Sequence, residues 1–221
     1  AIASEGNESL GSSLRALGMG EFETRIEGPT KIMDTVKNAD VYISFTTPEA
    51  EMANLPIVAS TGTRIVMGTT GFAEEQMLTL REEVTQKVPA VFAPNFSLGI
   101  VTLYRLLESM KRLPEEYDFS IVELHHRGKK DAPSGTASRL AEIISGFKGY
   151  DKIVSGRHGV SVRQNDELEV SSIRAGGVPG FHEVLVAGNH ELLRVQHTAF
   201  SKTVFAQGAL YAAKWVIHQE E

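Results

Sequence analysis

Residues 1–112 alternate short apolar runs with stretches in which apolar residues recur every three or four positions. Val41-Tyr42-Ile43-Ser44-Phe45, Arg64-Ile65-Val66-Met67 and Pro89-Ala90-Val91-Phe92-Ala93 have the β-branched and aromatic content of strands. Each runs into a stop, at Thr46-Thr47-Pro48, Gly68-Thr69-Thr70-Gly71 and Pro94-Asn95-Phe96-Ser97 respectively. Helical spacing fills the intervals. It predicts a helix over 31–38, capped by Thr30 with Ile32, Met33 and Val36 on one side, and another over 48–60, weakened by Pro56. Two more follow over 73–87, with Met77, Leu80 and Val84 at core spacing, and over 98–113. This alternation predicts a parallel sheet with helices on its faces.

After residue 117 the grammar changes. Residues 119–124, 168–174, 182–186 and 192–198 read as strands, joined largely by turns such as Gly176-Gly177-Val178-Pro179-Gly180. A helix over 136–146 interrupts them, and a final one over 203–218 is apolar at Phe205, Leu210, Ala213 and Val216. The pattern predicts a second, α+β domain with a mainly antiparallel or mixed sheet. There are no repeats, low-complexity segments or heptads.

Composition narrows the class. The chain has 221 residues, 42% hydrophobic and 23% charged, enough for one or two globular domains. A net charge of −6 argues against nucleic acid as a partner. The absence of cysteine excludes a disulfide framework and thiolate zinc patterns, and no metal site is expected. No apolar run approaches the ~20 residues that span a bilayer. The start has no signal-peptide pattern either, so no membrane partner and a cytoplasmic location are expected.

Against this acidic background one basic stretch stands out: Glu123-Leu124-His125-His126-Arg127-Gly128-Lys129-Lys130-Asp131-Ala132-Pro133-Ser134-Gly135-Thr136-Ala137. Imidazoles titrate near neutrality and can give or take a proton. Fixed cations attract carboxylates and stabilise developing charge. Ser134-Gly135-Thr136 precedes a helical pattern, where free amides and the positive dipole end bind anions. Together they suit holding a small polyanion while a proton is delivered. A basic loop punctuated by Gly and Pro is in general a solvated loop, and neighbouring strand histidines point to opposite faces, a poor metal pair.

The order of the parts is what lifts it above that. The run resembles the signature E-x-H-H-x-x-K-x-D-A-P-S-G-T-A of the dihydrodipicolinate reductase (4-hydroxy-tetrahydrodipicolinate reductase) family of lysine and diaminopimelate biosynthesis, with every fixed position present. The resemblance extends from about residue 40 to the end. It implies a Rossmann-like α/β cofactor domain over 1–96 and 203–221, and an α+β substrate and tetramerisation domain over 97–202. It further implies reduction of 4-hydroxy-tetrahydrodipicolinate by NADPH or NADH, a small dicarboxylate as substrate, and a homotetramer.

Roles follow position by position. The resemblance makes His125 the general acid, with Lys129 assisting proton transfer and stabilising charge. His126, Lys129, Ser134, Gly135 and Thr136 would hold the substrate carboxylates. Gly68, Thr69 and Thr70 match a G-T-T-G-F segment beside the nicotinamide, and Ala93, Pro94, Asn95 and Phe96 match an A-P-N-F-S segment near the interdomain hinge. Phe45 and Thr46 match a cofactor-flanking F-[ST] pair. On the residues alone, Phe45 reads as a core aromatic and the GTTG loop as a turn. Arg127 and Lys130 are expected as exposed charges and Asp131 as a turn or capping residue. Glu123 could orient an imidazole, but a strand carboxylate facing water is the expectation. His158, His182, His190, His197 and His218 read as structural or surface residues, and spacing does not show whether Arg174 or Lys202 faces the site.

The family opens with a strand, a G-x-x-G-x-x-G turn and a helix that cradle the cofactor pyrophosphate. This sequence has no such run, and Glu5 is a weak match for the ribose-gripping acid. An N-terminally incomplete copy of an ordinary reductase is the expected explanation, since a sheet truly lacking its first strand would expose an unpaired edge; the alternative is a truncated form with impaired cofactor binding. Two other classes share parts of the pattern. A different two-domain Rossmann reductase of amino-acid metabolism would have the architecture without the H-H-x-x-K run. A non-catalytic binding protein would be expected to lose His125 and Lys129.

Overall fold

The structure is a computed structural model that describes residues 1–220; Glu221, the last residue of the expected cofactor domain, lies outside them. The chain forms two compact units, Ala1–Pro94 with the chain from Ala209 onward, and Asn95–Gly208.

In the first unit three short strands, β1 (Val41–Ser44), β2 (Arg64–Met67) and β3 (Ala90–Phe92), pair in parallel in the order β1-β2-β3. Helix α2 (Pro48–Ser60) links β1 to β2, and α3 (Glu74–Thr85) links β2 to β3. Thr47 caps α2 by accepting from the Ala50 amide, and Pro48 takes the first turn, where no amide donor is needed. Pro56 is accommodated inside α2 without ending it. The core is built from Leu55, Val58, Ile65, Met67, Leu80 and Val84, each worth about 1.5–3 kcal/mol on burial.

The segment before β1 departs from expectation. Thr30 lies within a 3-10 turn (Pro29–Lys31) rather than capping a helix, and α1 (Ile32–Val36) is a short helix. Ile32 and Val36, four apart, are buried, while Met33 is exposed because it lies one step off that stripe.

The second unit opens with α4 (Leu98–Met110), capped by Ser97, and holds a five-stranded sheet. Its strands are β4 (Asp118–His125), β5 (Lys152–Val154), β6 (Glu167–Arg174), β7 (Gly180–Ala187) and β8 (Leu192–Ala199), in the order β5-β6-β4-β7-β8. The sheet is mixed: β5, β6 and β4 run parallel, and β7 and β8 continue antiparallel. The parallel half arises because α5 (Gly135–Lys148) carries the chain over from β4. Strand β5, only three residues long, is too short for a periodic signal, which is why the sequence did not predict it. Phe119, Ile121, Leu140, Ile144, Leu168, Val184 and Val186 form the core between sheet and helices.

Helix α6 (Thr203–Val216) closes the fold. Ala209, Ala213 and Val216 are its buried stripe, and Leu210, expected among them, is exposed.

Candidate active site

Strand periodicity assembles the site in the second unit. Along β4, Phe119, Ile121, Glu123 and His125 alternate onto the buried face. The neighbouring strands extend that row sideways: His125 lies opposite Arg174 on β6, and Glu123 lies opposite His182 on β7. Glu123 is wholly buried, contrary to the expectation that it would face water. Its Oε2 lies 2.5 Å from His125 Nδ1. Its two oxygens also accept from Arg174 at 2.7 and 2.9 Å, and Oε1 accepts from the Ser134 amide at 3.2 Å.

An ionised carboxylate can only accept, so Nδ1 of His125 carries the hydrogen and Nε2 is left as the atom that exchanges a proton. Burial alone would raise the Glu123 carboxyl, but the hydrogen bonds from Arg174 and His125 outweigh it and hold the group down at about 2. His125 is pulled below the usual imidazole range, first by burial and then by the cations Lys129 and Arg174, against the opposing pull of Glu123.

His182 is not the structural or surface residue its position suggested. It is buried, its ring stands edge-on to that of His125 at 5.0 Å, and Nε2 meets Ser134 Oγ at 3.1 Å. Burial, followed by the neighbouring His125, lowers its pKa to about 4, so it stays neutral at working pH. Both Glu123 and His182 stand in phase with core residues of their strands, Ile121 in one case and Val184 with Val186 in the other. That signal was present in the sequence. Arg174 could be found only from the strand register.

The basic loop turns away from β4 into α5. Lys129, largely sheltered, pairs with Asp131 at 2.8 Å, and that contact holds the Asp131 carboxyl below its usual range. Arg127 and Lys130 are exposed, and His126, just past the end of β4, is partly so. Ser134 is buried and caps α5, its hydroxyl occupied by the Ala137 amide and His182. Helix geometry leaves the amides of Gly135 and Thr136 without intrahelical partners, at the positive end of the dipole. The hydroxyl of Thr136 accepts from Asn95 at 3.0 Å. His197 meets Ser97 at the start of α4, and His158, His190, Lys202 and His218 are exposed.

The first unit carries a separate feature at the carboxyl ends of β2 and β3, the edge where open parallel sheets bind ligands. A pocket of about 270 Å³ is lined by Met67, Thr69, Thr70, Phe92, Ala93 and Pro94, among others. That volume suits one aromatic ring rather than a whole dinucleotide. A Cβ on Gly68 would overlap the Phe45 ring, so only glycine permits this approach of loop to aromatic. The loops are tied together by Glu51, wholly buried in the first turn of α2. Its Oε1 accepts from the hydroxyls of Ser44, Thr46 and Thr69, and Thr69 Oγ1 accepts in turn from the Thr46 amide at 2.8 Å. Glu51 was not singled out from the sequence. Of the other expected cofactor residues, Asn95 and Phe96 fall in the second unit, the latter buried. Among the described residues no cluster of acids and histidines is arranged to hold a metal, and no helix is long and apolar enough to cross a membrane.

Known proteins share this arrangement of sequence. The family model "Dihydrodipicolinate reductase, N-terminus" matches residues 1–96, and "Dihydrodipicolinate reductase, C-terminus" matches 99–221. The 4-hydroxy-tetrahydrodipicolinate reductase of Methanopyrus kandleri is 43% identical over 222 residues, 98% of this chain and 81% of that protein. That of Archaeoglobus fulgidus is also 43% identical, over 90% of this chain and 77% of its own length. A solved structure, dipicolinate-bound dihydrodipicolinate reductase from Paenisporosarcina sp. TG-14, shares the fold with a TM-score of 0.75 at 23% identity, covering 100% of this chain and 85% of the other. With both of its halves matched and relatives at this level of identity, the chain belongs to the dihydrodipicolinate reductase family.

Proposed function

We propose that this protein reduces 4-hydroxy-tetrahydrodipicolinate with NAD(P)H in lysine and diaminopimelate biosynthesis, and that His125 supplies the proton. The observation that carries the reading is the buried Glu123–His125 pair, which fixes one imidazole nitrogen and leaves the other to exchange a proton. A carboxylate-oriented histidine next to a cationic loop and an open helix N-terminus is a proton donor for an anionic substrate.

Thr69, Thr70, Ala93 and Pro94 are assigned to the nicotinamide, whose ring the pocket at the ends of β2 and β3 fits in size. Bound there, it supplies a hydride. Phe45, Thr46 and Gly68 shape the loops around that pocket, with Glu51 holding their hydroxyls in place. In the second unit, Lys129 and His126 are assigned to one substrate carboxylate, and the amides of Gly135 and Thr136 to the other. Ser134 serves by shaping the helix start rather than by binding through its hydroxyl, which is already engaged. The 4-hydroxyl leaves with a ring hydrogen as water, giving a conjugated C=C. The hydride adds to one carbon of that bond, Lys129 offsets the negative charge then spread over the ring, and His125 Nε2 delivers its proton to the neighbouring ring carbon. A dianionic substrate also favours the imidazolium, so binding itself loads the acid.

The same reading includes a homotetramer in the cytoplasm, supported by the exposed Ile173, Leu192 and Leu193 on the strands of the second unit. The test is nicotinamide oxidation in the presence of the condensation product of aspartate semialdehyde and pyruvate. Oxidation that depends on that product is expected. Oxidation with another amino-acid semialdehyde alone would point to a different reductase, and none with either would overturn the assignment.

A further inference from the structure

Arg174 is involved with more of the site than its distance in sequence suggests. It sits opposite His125 in the parallel register of β4 and β6 and is mostly sheltered. One terminal nitrogen donates to Glu123 Oε2 at 2.9 Å and to the Ile173 carbonyl at 2.7 Å. The other donates to Glu123 Oε1 at 2.7 Å and to the backbone carbonyl of Asp131 at 2.6 Å. One planar fork therefore closes on both oxygens of the carboxylate that orients His125 while gripping the loop that bears Lys129. A point-like ammonium cannot reproduce that geometry.

We propose that Arg174 is a positioning residue for the reaction: it ties the Glu123–His125 pair and the Lys129–Pro133 segment into one unit, so that acid and carboxylate site are set together. This rests on the reductase reading of the same site. Its first consequence is electrostatic. With Arg174 in place the buried Glu123 charge is neutralised, and His125 is not held permanently protonated. The groups facing His125 are Glu123 on its own strand, Arg174 on β6, His182 on β7, and Lys129 of the loop, itself paired with Asp131. His182 is neutral, so removing Arg174 leaves one uncompensated buried anion beside the imidazole. The pair then takes up a proton more readily, and the imidazole, the more basic of the two, is the member that carries it. The second consequence is mechanical: without the fork, the Asp131 carbonyl loses its donor and the loop its anchor.

The test is a pH titration of the His125 ring by NMR, together with the KM for 4-hydroxy-tetrahydrodipicolinate, in wild type, R174K, R174Q and the double variant E123Q/R174Q. In R174Q the midpoint should rise by about one pH unit or more, a tenfold gain in proton affinity. In the double variant, where the anion is gone as well, it should fall back below that of R174Q. R174K keeps the charge but loses the fork. It should titrate near wild type while KM for the dicarboxylate rises several-fold. Should R174Q fail to fold, R174K and the double variant decide: a raised KM in R174K with an unmoved midpoint supports the proposal. An R174Q midpoint at the wild-type position, or an R174K protein with both values unchanged, overturns it. The titration needs no turnover, so loss of the reductase reading, seen as an inactive wild type, is told apart from loss of this one.

Discussion

His182 carries a cost that shows in stability. Its pKa falls from 6.5 to about 4 on folding, chiefly through burial, so the unfolded chain binds that proton more tightly than the native one. The neutral ring is therefore free of penalty above pH 6.5, and the penalty grows as pH falls through the interval to 4, reaching about 3 kcal/mol. Urea unfolding of the wild type should lose stability over that interval more steeply than His182→Phe does; parallel slopes would contradict the assignment. Glu123 acts in the same sense at lower pH. Its carboxyl sits at about 2 against 4.5 when unperturbed, so its contribution is fully present above 4.5 and is lost as pH falls from there through 2. At this scale the sequence was half legible. His125 and Lys129 stood out by chemistry, whereas Glu123 and His182 had to be read by phase. Strand alternation put both on the core side, and only the knowledge of a partner across the sheet explains why a charge is tolerated there.

The elements were predicted best where stop signals bounded them. Helix α2 spans Pro48–Ser60 despite Pro56 and β2 spans Arg64–Met67, both within the bounds expected from sequence, while the cap that Thr47 supplies to α2 was not singled out. A helix was expected over 31–38 and α1 lies within it, only shorter, whereas the 3-10 turn before it and the three-residue β5 escaped, since each is shorter than the period that would reveal it. Helix α4 reads like one more helix of the first kind, yet it packs on α5 and β8 of the second unit, a partnership that amphipathicity cannot name. One element contact is strict enough to predict from. Gly208 of α6 lies so close to the Phe96 backbone carbonyl that a Cβ there would overlap it. Gly208→Ala should therefore cost roughly 2–4 kcal/mol despite the better helix propensity of alanine, since a backbone carbonyl cannot swing aside as a side chain would. Thermal melting measures this directly, and a melting temperature at or above wild type would refute the contact.

At the scale of the whole molecule, the proposed chemistry divides between the units as the change of grammar along the chain suggested. The parallel sheet of the first presents a ring-sized pocket at its carboxyl edge, and the mixed sheet of the second presents the Glu123–His125 pair and the cationic loop. Periodicity conveyed that division, and the mixed sheet falls within the expected mainly antiparallel or mixed class; which strands run parallel follows from the crossover at α5, which local pattern does not encode. The net charge of −6 makes the clustering of Arg127, Lys129 and Lys130 more telling, since the proposed dicarboxylate would have to be drawn to an otherwise repelling surface. The proposed reaction turns on His125 delivering a proton, with the proposed nicotinamide site in the first unit independent of it. Comparing His125→Gln with wild type for both turnover and NAD(P)H affinity tests it most directly. Turnover should fall by roughly 10²–10⁴-fold, the usual contribution of a general acid, with cofactor affinity within about twofold. Unchanged turnover, or a loss confined to cofactor affinity, would contradict it.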